Sequence, residues 1–363
     1  MIKKLWLKNF KSFKEQEIEL KKLNVLVGPN ASGKSNLIDA LMFFSELASA
    51  GKVEEGLKRR GGFEKVAFKG KEKEIELSCN FDLEGSHSSY YISLMKEGIE
   101  REELVVEETT IIKGEKGVGK FLPDGKEEGH YAVGRWQTCL CIYGHEETHT
   151  LLGRAYRFLS SFRFYQFIPS EIRETSVVRG ELELERSGAN LARVLHTLHS
   201  QQEEVFQRIE DLLRQGIPEI EKLRTPLVEG ESETYIAVKE KGFEADRHQI
   251  SDGTLKLLAF ITAVSMPEPA LLCFEEPENF IHARLLKLLV EILKKSEKQV
   301  ILSTHHPYLV DFVEPEEIII VEKEEGETKV YQIEEPNELR RRLEELELRL
   351  GEYYYSGALG GVP

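Results

Sequence analysis

The segment Gly28-Pro29-Asn30-Ala31-Ser32-Gly33-Lys34-Ser35 has the spacing Gly-x-x-x-x-Gly-Lys-[Ser/Thr]. That spacing suits a loop whose backbone N–H groups wrap a row of phosphates. Its two glycines let the backbone curl toward an anion. Lys34 is placed to reach the β- and γ-phosphates of a nucleoside triphosphate, and the Ser35 hydroxyl to ligate Mg²⁺. Asn36 continues into a helix whose N-terminus adds partial positive charge. The candidate nucleotide contacts are therefore Gly28, Pro29, Asn30, Ala31, Ser32, Gly33, Lys34, Ser35 and Asn36. A glycine turn that matches by chance is the plain alternative, and the flanking elements weigh against it.

Further along, the apolar run Pro269 to Phe274 ends in Glu275-Glu276-Pro277-Glu278-Asn279. One acid at a strand end can hold the water shell of Mg²⁺. A second, adjacent acid can orient or deprotonate an attacking water. Glu275 is assigned to the metal and Glu276 to the water. The run Gln299 to Leu302 leads into Ser303-Thr304-His305-His306-Pro307. His305 is placed to touch a γ-phosphate or to hold the water, whereas His306 reads as a loop histidine. Ser251 and Gly253 open an apolar helix that continues through Val264. They either cap that helix or present a hydroxyl and N–H groups to a phosphate.

These groups need elements to hold them. Asn24 to Val27 reads as a short buried strand before the glycine loop. Asn36 to Ser49 is apolar at helical spacing through Leu37, Ile38, Leu41, Met42 and Phe44. Residues 62 to 113 alternate, as in Glu74-Ile75-Glu76-Leu77, which predicts an antiparallel sheet. The glycine-rich stretch 114 to 129 predicts an exposed hairpin or loop. Residues 188 to 216 are helical, as one helix or two short ones. Thr234 to Lys239 predicts a strand before the Ser251 helix. Ile318 to Val321 and Lys329 to Ile333 predict strands, and Pro336 to Leu350 a charged helix. No internal repeat is present.

The order of P-loop, Ser-x-Gly helix, paired glutamates and Thr-His resembles the ATP-binding-cassette (ABC) superfamily. The resemblance is to the branch that holds the SMC proteins, RecF- and RecN-type repair ATPases, Rad50 and small standalone predicted ATPases related to them. The opening Asn9-Phe10-Lys11-Ser12-Phe13 looks like the start of those heads. Glu275 to Asn279 looks like their Walker B and D-loop, and Ser303 to Asp311 like their switch-histidine segment. Two departures stand out. The signature reads Ser251-Asp252-Gly253-Thr254 where Ser-Gly-Gly is commoner, and Glu275 stands where many members have Asp.

The resemblance implies an α/β fold: a two-lobed ATPase head with a mixed or parallel core sheet flanked by helices, an antiparallel β lobe and no long coiled coil. It places lobe I at about residues 1–170, a helical insertion at 171–225, lobe II at 226–335 and a C-terminal helix and tail at 336–363. It implies a homodimer that sandwiches two Mg-ATP, with Ser251 and Gly253 of one copy reaching the nucleotide of the other. Lys11 and Ser12 are expected on the adenine or ribose side. Gln166 is the candidate Q-loop glutamine beside the metal, or else an outward strand residue. The expected role is ATP hydrolysis coupled to DNA, in repair, genome maintenance or anti-phage defence. A separate protein would supply any nuclease activity. The alternative is a nucleotide-gated module that acts on a protein effector and never touches DNA. A transporter ATPase fits less well, because Ser35 and Ser251 lie far apart in sequence.

Composition agrees with a globular cytoplasmic protein: 31% charged and 40% hydrophobic residues. No apolar run is long enough for a membrane span, and no leader-like segment is read at the N-terminus. The cysteines fall at irregular places, which suggests reduced thiols. A net charge of −15 argues against coating DNA by global attraction. Residues 50–73 nonetheless hold Lys52, Lys58, Arg59, Arg60, Lys65, Lys69, Lys71 and Lys73, either a DNA-facing patch or a solvated loop and hairpin edge. Cys139 and Cys141, with His145 and His149, invite a zinc reading. If the region is strand, the thiols share a face, and packing is the preferred role. The tail Gly351 to Gly361 is rich in tyrosine and glycine and either docks or frays.

Overall fold

The strand Leu23–Val27 is buried at all five positions. Such a strand needs cover on both faces, which a parallel sheet between helices supplies. In the computed structural model, which describes residues 1–49, 53–124, 129–146 and 149–360, it lies inside a six-stranded sheet. Edge to edge, the order is Arg163–Tyr165, Leu271–Glu275, Gln299–Thr304, Leu23–Val27, Ile318–Glu324 and Glu327–Gln332. Neighbours run parallel except the last pair. Val27 lies opposite Thr304 and Ile320, and Glu275 opposite Ser303. The loops that leave these strand ends therefore share one rim, where open α/β sheets bind ligands.

Successive strand residues face opposite sides. Val25, Val27, Leu272, Phe274, Val300 and Leu302 join one core with the helices Leu191–Gln201, Glu203–Gly216, Asp252–Ser265 and Ala283–Lys295. Leu26, Leu271, Cys273, Ile301, Ile319 and Val321 join the other with the helix Lys34–Ser49. That second core is closed by an eight-stranded antiparallel sheet. Its order is Phe13–Glu19, Ile2–Phe10, Glu74–Leu83, Ser86–Met95, Gly98–Val106, Thr109–Glu115, Val118–Phe121 and Gly129–Ala132. Glu74–Leu83 alternates buried and half-buried along its whole length, as a strand with one packed face does. The fold is thus α/β with two lobes sharing the parallel sheet. Among the described residues no long coiled coil occurs, the longest helix being Lys34–Ser49 with 16 residues.

Several stretches depart from the sequence reading. Cys139–Glu146 is a helix, not a strand. The Glu102 carboxylate accepts from the backbone N–H groups of Cys139 and Leu140 at 2.8 and 3.0 Å, a cap supplied by a distant strand. Residues two apart on a helix point in different directions. Cys139 is buried and Cys141 half-buried, and no metal-holding group of His, Cys, Asp and Glu occurs among the described residues. Residues 63–70 form short helical turns, so the sheet starts only at Glu74. The Thr234 to Lys239 strand is split: Glu233–Thr234 pairs with Ser176–Val177, and Ala237–Glu240 with Ile220–Arg224. The charged helix stops at Leu346, because Glu347 turns left-handed at φ 53°, and a second helix runs Leu350–Tyr355.

The basic stretch is also different in kind. The Arg60 side chain is only 6% exposed: its guanidinium grips both Asp39 carboxylate oxygens at 2.8–3.1 Å and Glu46 at 2.6 Å. Burial pushes the Asp39 carboxyl up, but the hydrogen bonds and charge of Arg60 and Lys11 outweigh it and hold it below the usual range. Lys58 pairs with Glu54 and Arg59 with Glu46. Arg60 therefore ties the P-loop helix to its neighbour and does not face solvent. Lys65, Lys69, Lys71 and Lys73 are exposed, and Lys52 lies outside the described residues.

Candidate nucleotide-binding and hydrolysis site

The glycine loop is shaped by what presses on it. A Cβ on Gly28, at φ 148°, would sit 2.1 Å from the Val321 carbonyl oxygen, and one on Gly33, at φ 120°, 2.2 Å from the Thr328 hydroxyl. Only glycine fits either place. The Thr328 hydroxyl lies 2.8 Å from the Ser32 carbonyl oxygen and 2.7 Å from the Ser12 hydroxyl. The hairpin Ile318–Glu324 and Glu327–Gln332 thus braces the loop from outside. Lys34 is buried and donates to the carbonyls of Gly28 and Pro29 at 2.5 and 3.0 Å. Burial lowers its pKa, against the charges of Glu276 and Glu278.

Residues Asn30 to Asn36 line a pocket of about 380 Å³ with Gln166, Glu275, Glu276, Ser303 and Lys323. Its volume lies within the ordinary range for small-molecule sites. Glu275 ends its strand and accepts from Arg186 at 3.0 Å. Glu276 leaves the strand at φ 46°, held by its N–H to the Ser303 carbonyl at 3.0 Å and by Lys256, which donates to the Glu276 and Asn279 carbonyls at 3.0 and 2.9 Å. The Glu276 carboxylate accepts from the Asn279 amide at 2.8 Å. His305 Nδ1 lies 3.6 Å from Glu276 and 3.9 Å from Glu278. Glu278 is buried and accepts from the Thr304 hydroxyl at 2.6 Å. Its other oxygen and His305 Nδ1 have no hydrogen-bond partner among the described residues.

Hard oxygen donors and a buried ammonium around a glycine cradle suit Mg-ATP. Ser35 and Glu275 are the oxygen donors of the kind Mg²⁺ takes, with Gln166 on the same wall. Of the other residues singled out in the sequence, Lys11 pairs with Asp39 at 2.6 Å on the P-loop helix and is not on the wall of this pocket. Ser12 reaches the loop only through Asn36 and Thr328, at 2.7 Å each. Ser251 caps its helix, accepting from Thr254 N–H at 3.1 Å, and neither it nor Gly253 lines the pocket of its own chain. A Cβ on Gly253 would stand 2.7 Å from the Phe280 carbonyl oxygen. His306 caps the turn Pro307–Val310. Arg186, Lys256, Lys323 and Thr328 were missed, since they reach the site from distant segments. Glu278 was visible inside the acidic motif but was given no role. A larger cavity, about 1050 Å³, lies elsewhere, between Met1, Arg154, Pro269 and Lys298, and holds none of this chemistry.

With this geometry in view, comparison with known proteins places the chain. Residues 1–122 match the family model described as "AAA ATPase domain", and residues 154–311 the one described as "AAA domain, putative AbiEii toxin, Type IV TA system". A stretch of 53 residues is 47% identical to the chromosome partition protein Smc of Methanocaldococcus jannaschii, spanning 14% of this chain and 4% of that protein. Among solved structures, the Smc head bound to the C-terminal winged-helix domain of ScpA has a TM-score of 0.61 at 18% identity, over 92% of this chain and 98% of that one. The Pyrococcus furiosus Smc head with an extended coiled coil, bound to the C-terminal domain of ScpA, gives 0.61 at 18% identity, over 95% and 99%. The fold is that of an Smc head. The sequence matches agree with it: two ATPase family models match separate stretches of the chain, and the Smc match covers a short one. Among the described residues no helix is long and apolar enough to cross a membrane.

Proposed function

We propose that this chain binds and hydrolyses Mg-ATP in the 380 Å³ pocket and that two copies close around two nucleotides. The observation that carries this is the meeting of the P-loop, Glu275 and Glu276 on one wall while Ser251 and Gly253 stand outside it. Each copy thus holds part of a site, and a second copy supplies the remainder. Ser35 and Glu275 hold the metal shell, with Gln166 beside them. Bound Mg²⁺ neutralises phosphate charge as it develops. Lys34 turns from the loop carbonyls to the phosphates. Glu276 takes the proton of the attacking water, and His305, beside it, contacts the γ-phosphate. The closed dimer is favoured because nucleotide bridges only that state.

The test is the solution mass of Glu276→Gln by light scattering. A monomer that becomes a dimer with Mg-ATP, and stays monomeric when Ser251→Arg is added, is the expected outcome. A mass indifferent to nucleotide refutes the shared site. The Smc likeness supports a task on DNA. A second reading, a head that gates a protein effector, is favoured by the net charge of −15 and by the internal pairing of Arg59 and Arg60. DNA binding that weakens with salt and with Lys65, Lys71 and Lys73→Glu separates the two.

A further inference from the structure

Gly28 is where the P-loop leaves its strand, and its N–H turns away from the sheet. A buried N–H needs a partner, and this one has Tyr354: the phenolic oxygen accepts it at 3.1 Å. Tyr354 is fully buried and lies in the helix Leu350–Tyr355. Leu350, Tyr353 and Tyr354 share a core with Val27, Leu309 and Val310. The same helix touches the other side of the site. The Gly351 N–H donates to Asp311 at 2.8 Å, and a Cβ on Gly351 would stand 2.1 Å from the Pro307 carbonyl oxygen. Pro307 begins the turn that follows His305 and His306. One short helix therefore joins the first residue of the phosphate-binding loop to the segment behind the switch histidine.

We propose that Tyr354 is a positioning residue. Its hydroxyl sets the entry of the P-loop, and its helix makes nucleotide affinity and turnover depend on a C-terminal segment that never touches nucleotide. This rests on the Mg-ATP reading above. Burial pushes the Tyr354 phenol up to about 12, so it keeps its proton and stays a neutral acceptor across the working range of pH. Tyr354→Phe keeps the ring in the core and removes only the acceptor. The Gly28 N–H is then left unpaired unless the loop shifts, and a shift moves the cradle that Lys34 and Ser35 share.

The experiment titrates wild type and Tyr354→Phe with trinitrophenyl-ATP and measures steady-state ATPase activity at 25 °C, with folding checked by circular dichroism. The expected result is a loss in kcat/KM of between about twofold and tenfold, the size of one buried hydrogen bond, at unchanged helix content. A lowered melting temperature with Kd and kcat both intact would reduce Tyr354 to packing and overturn the proposal. Hydrogen exchange on the wild-type chain covers the case in which the variant does not fold. Amides 350–356 must gain protection with saturating Mg-ATP, because coupling is reciprocal, and exchange indifferent to nucleotide overturns the proposal as well. A wild-type chain that takes up no trinitrophenyl-ATP refutes the Mg-ATP reading, and the positioning role falls with it. Intact affinity and intact kcat together in Tyr354→Phe, with a wild type that binds trinitrophenyl-ATP, refute the positioning role alone.

Discussion

Lys256→Met separates the geometry of the Glu276 turn from the stability of the fold. Lys256 is 3% exposed, and its ammonium donates to the Glu276 and Asn279 carbonyls. Burial pushes its pKa from 10.5 down to about 8, against the charges of Glu278 and Glu276. That drop corresponds to roughly 3 kcal/mol of burial cost, which methionine relieves. Two part-buried carbonyls left without this donor cost up to roughly 1–3 kcal/mol each. The terms oppose, so folding stability at pH 7 should change by no more than about 3 kcal/mol. Turnover should suffer more. Glu276 sits at φ 46°, a conformation that costs a non-glycine residue roughly 1–2 kcal/mol, and Lys256 grips its carbonyl. Once released, the turn relaxes and the carboxylate leaves its place beside His305, a misplacement worth up to ~100-fold in kcat. Steady-state phosphate release at saturating ATP, run beside urea unfolding, reads both quantities. The folded pKa lies below the unfolded one, so the wild type gains stability relative to Lys256→Met as pH rises from about 8 toward 10.5. An unchanged kcat, or a stability difference flat across that window, would refute the reasoning.

Two further substitutions probe the same frame. Lys34→Ala should weaken ATP binding by ~100-fold, as expected for roughly 3 kcal/mol of charge-assisted hydrogen bonds to phosphate; isothermal titration with ATP checks it, and normal affinity would remove the P-loop assignment. Arg60→Ala leaves Asp39 with Lys11 alone and Glu46 with Arg59 alone, and should destabilise the fold by roughly 1.5–3 kcal/mol, whereas Lys71→Ala at an exposed position should change stability by less than about 0.5 kcal/mol; equal melting temperatures would contradict the role of Arg60 in tying the P-loop helix to its neighbour.

The parts of the site that share a local pattern were legible. Strand, glycine loop and helix are contiguous from Leu23 to Ser49, so the sequence carries the whole P-loop unit. The paired acids and Thr-His each end an apolar strand, and the parallel register brings those ends to one rim. Alternation made the antiparallel lobe readable from Glu74 onward. Groups that depend on distant partners were not legible. The helix at Cys139 owes its start to Glu102, and the brace on Gly33 comes from Thr328. Arg60 looked like surface charge because its partners, Asp39 and Glu46, lie on the P-loop helix, and only packing turns those three charges inward. Tyr354 sat in a tail whose composition also suits a frayed terminus.

The place of Leu23–Val27 in the middle of the parallel sheet sets a schedule for the newborn chain. Its two neighbours are made late, since Thr304 and Ile320 must both exist before Val27 can be flanked. At ribosomal speeds the N-terminal strand and its loop wait on the order of tens of seconds for them. During that wait an apolar strand with two open edges is exposed to chaperones and to other nascent chains. A transcript cut short before the final hairpin would therefore yield a product that can build its antiparallel sheet yet never forms a phosphate cradle.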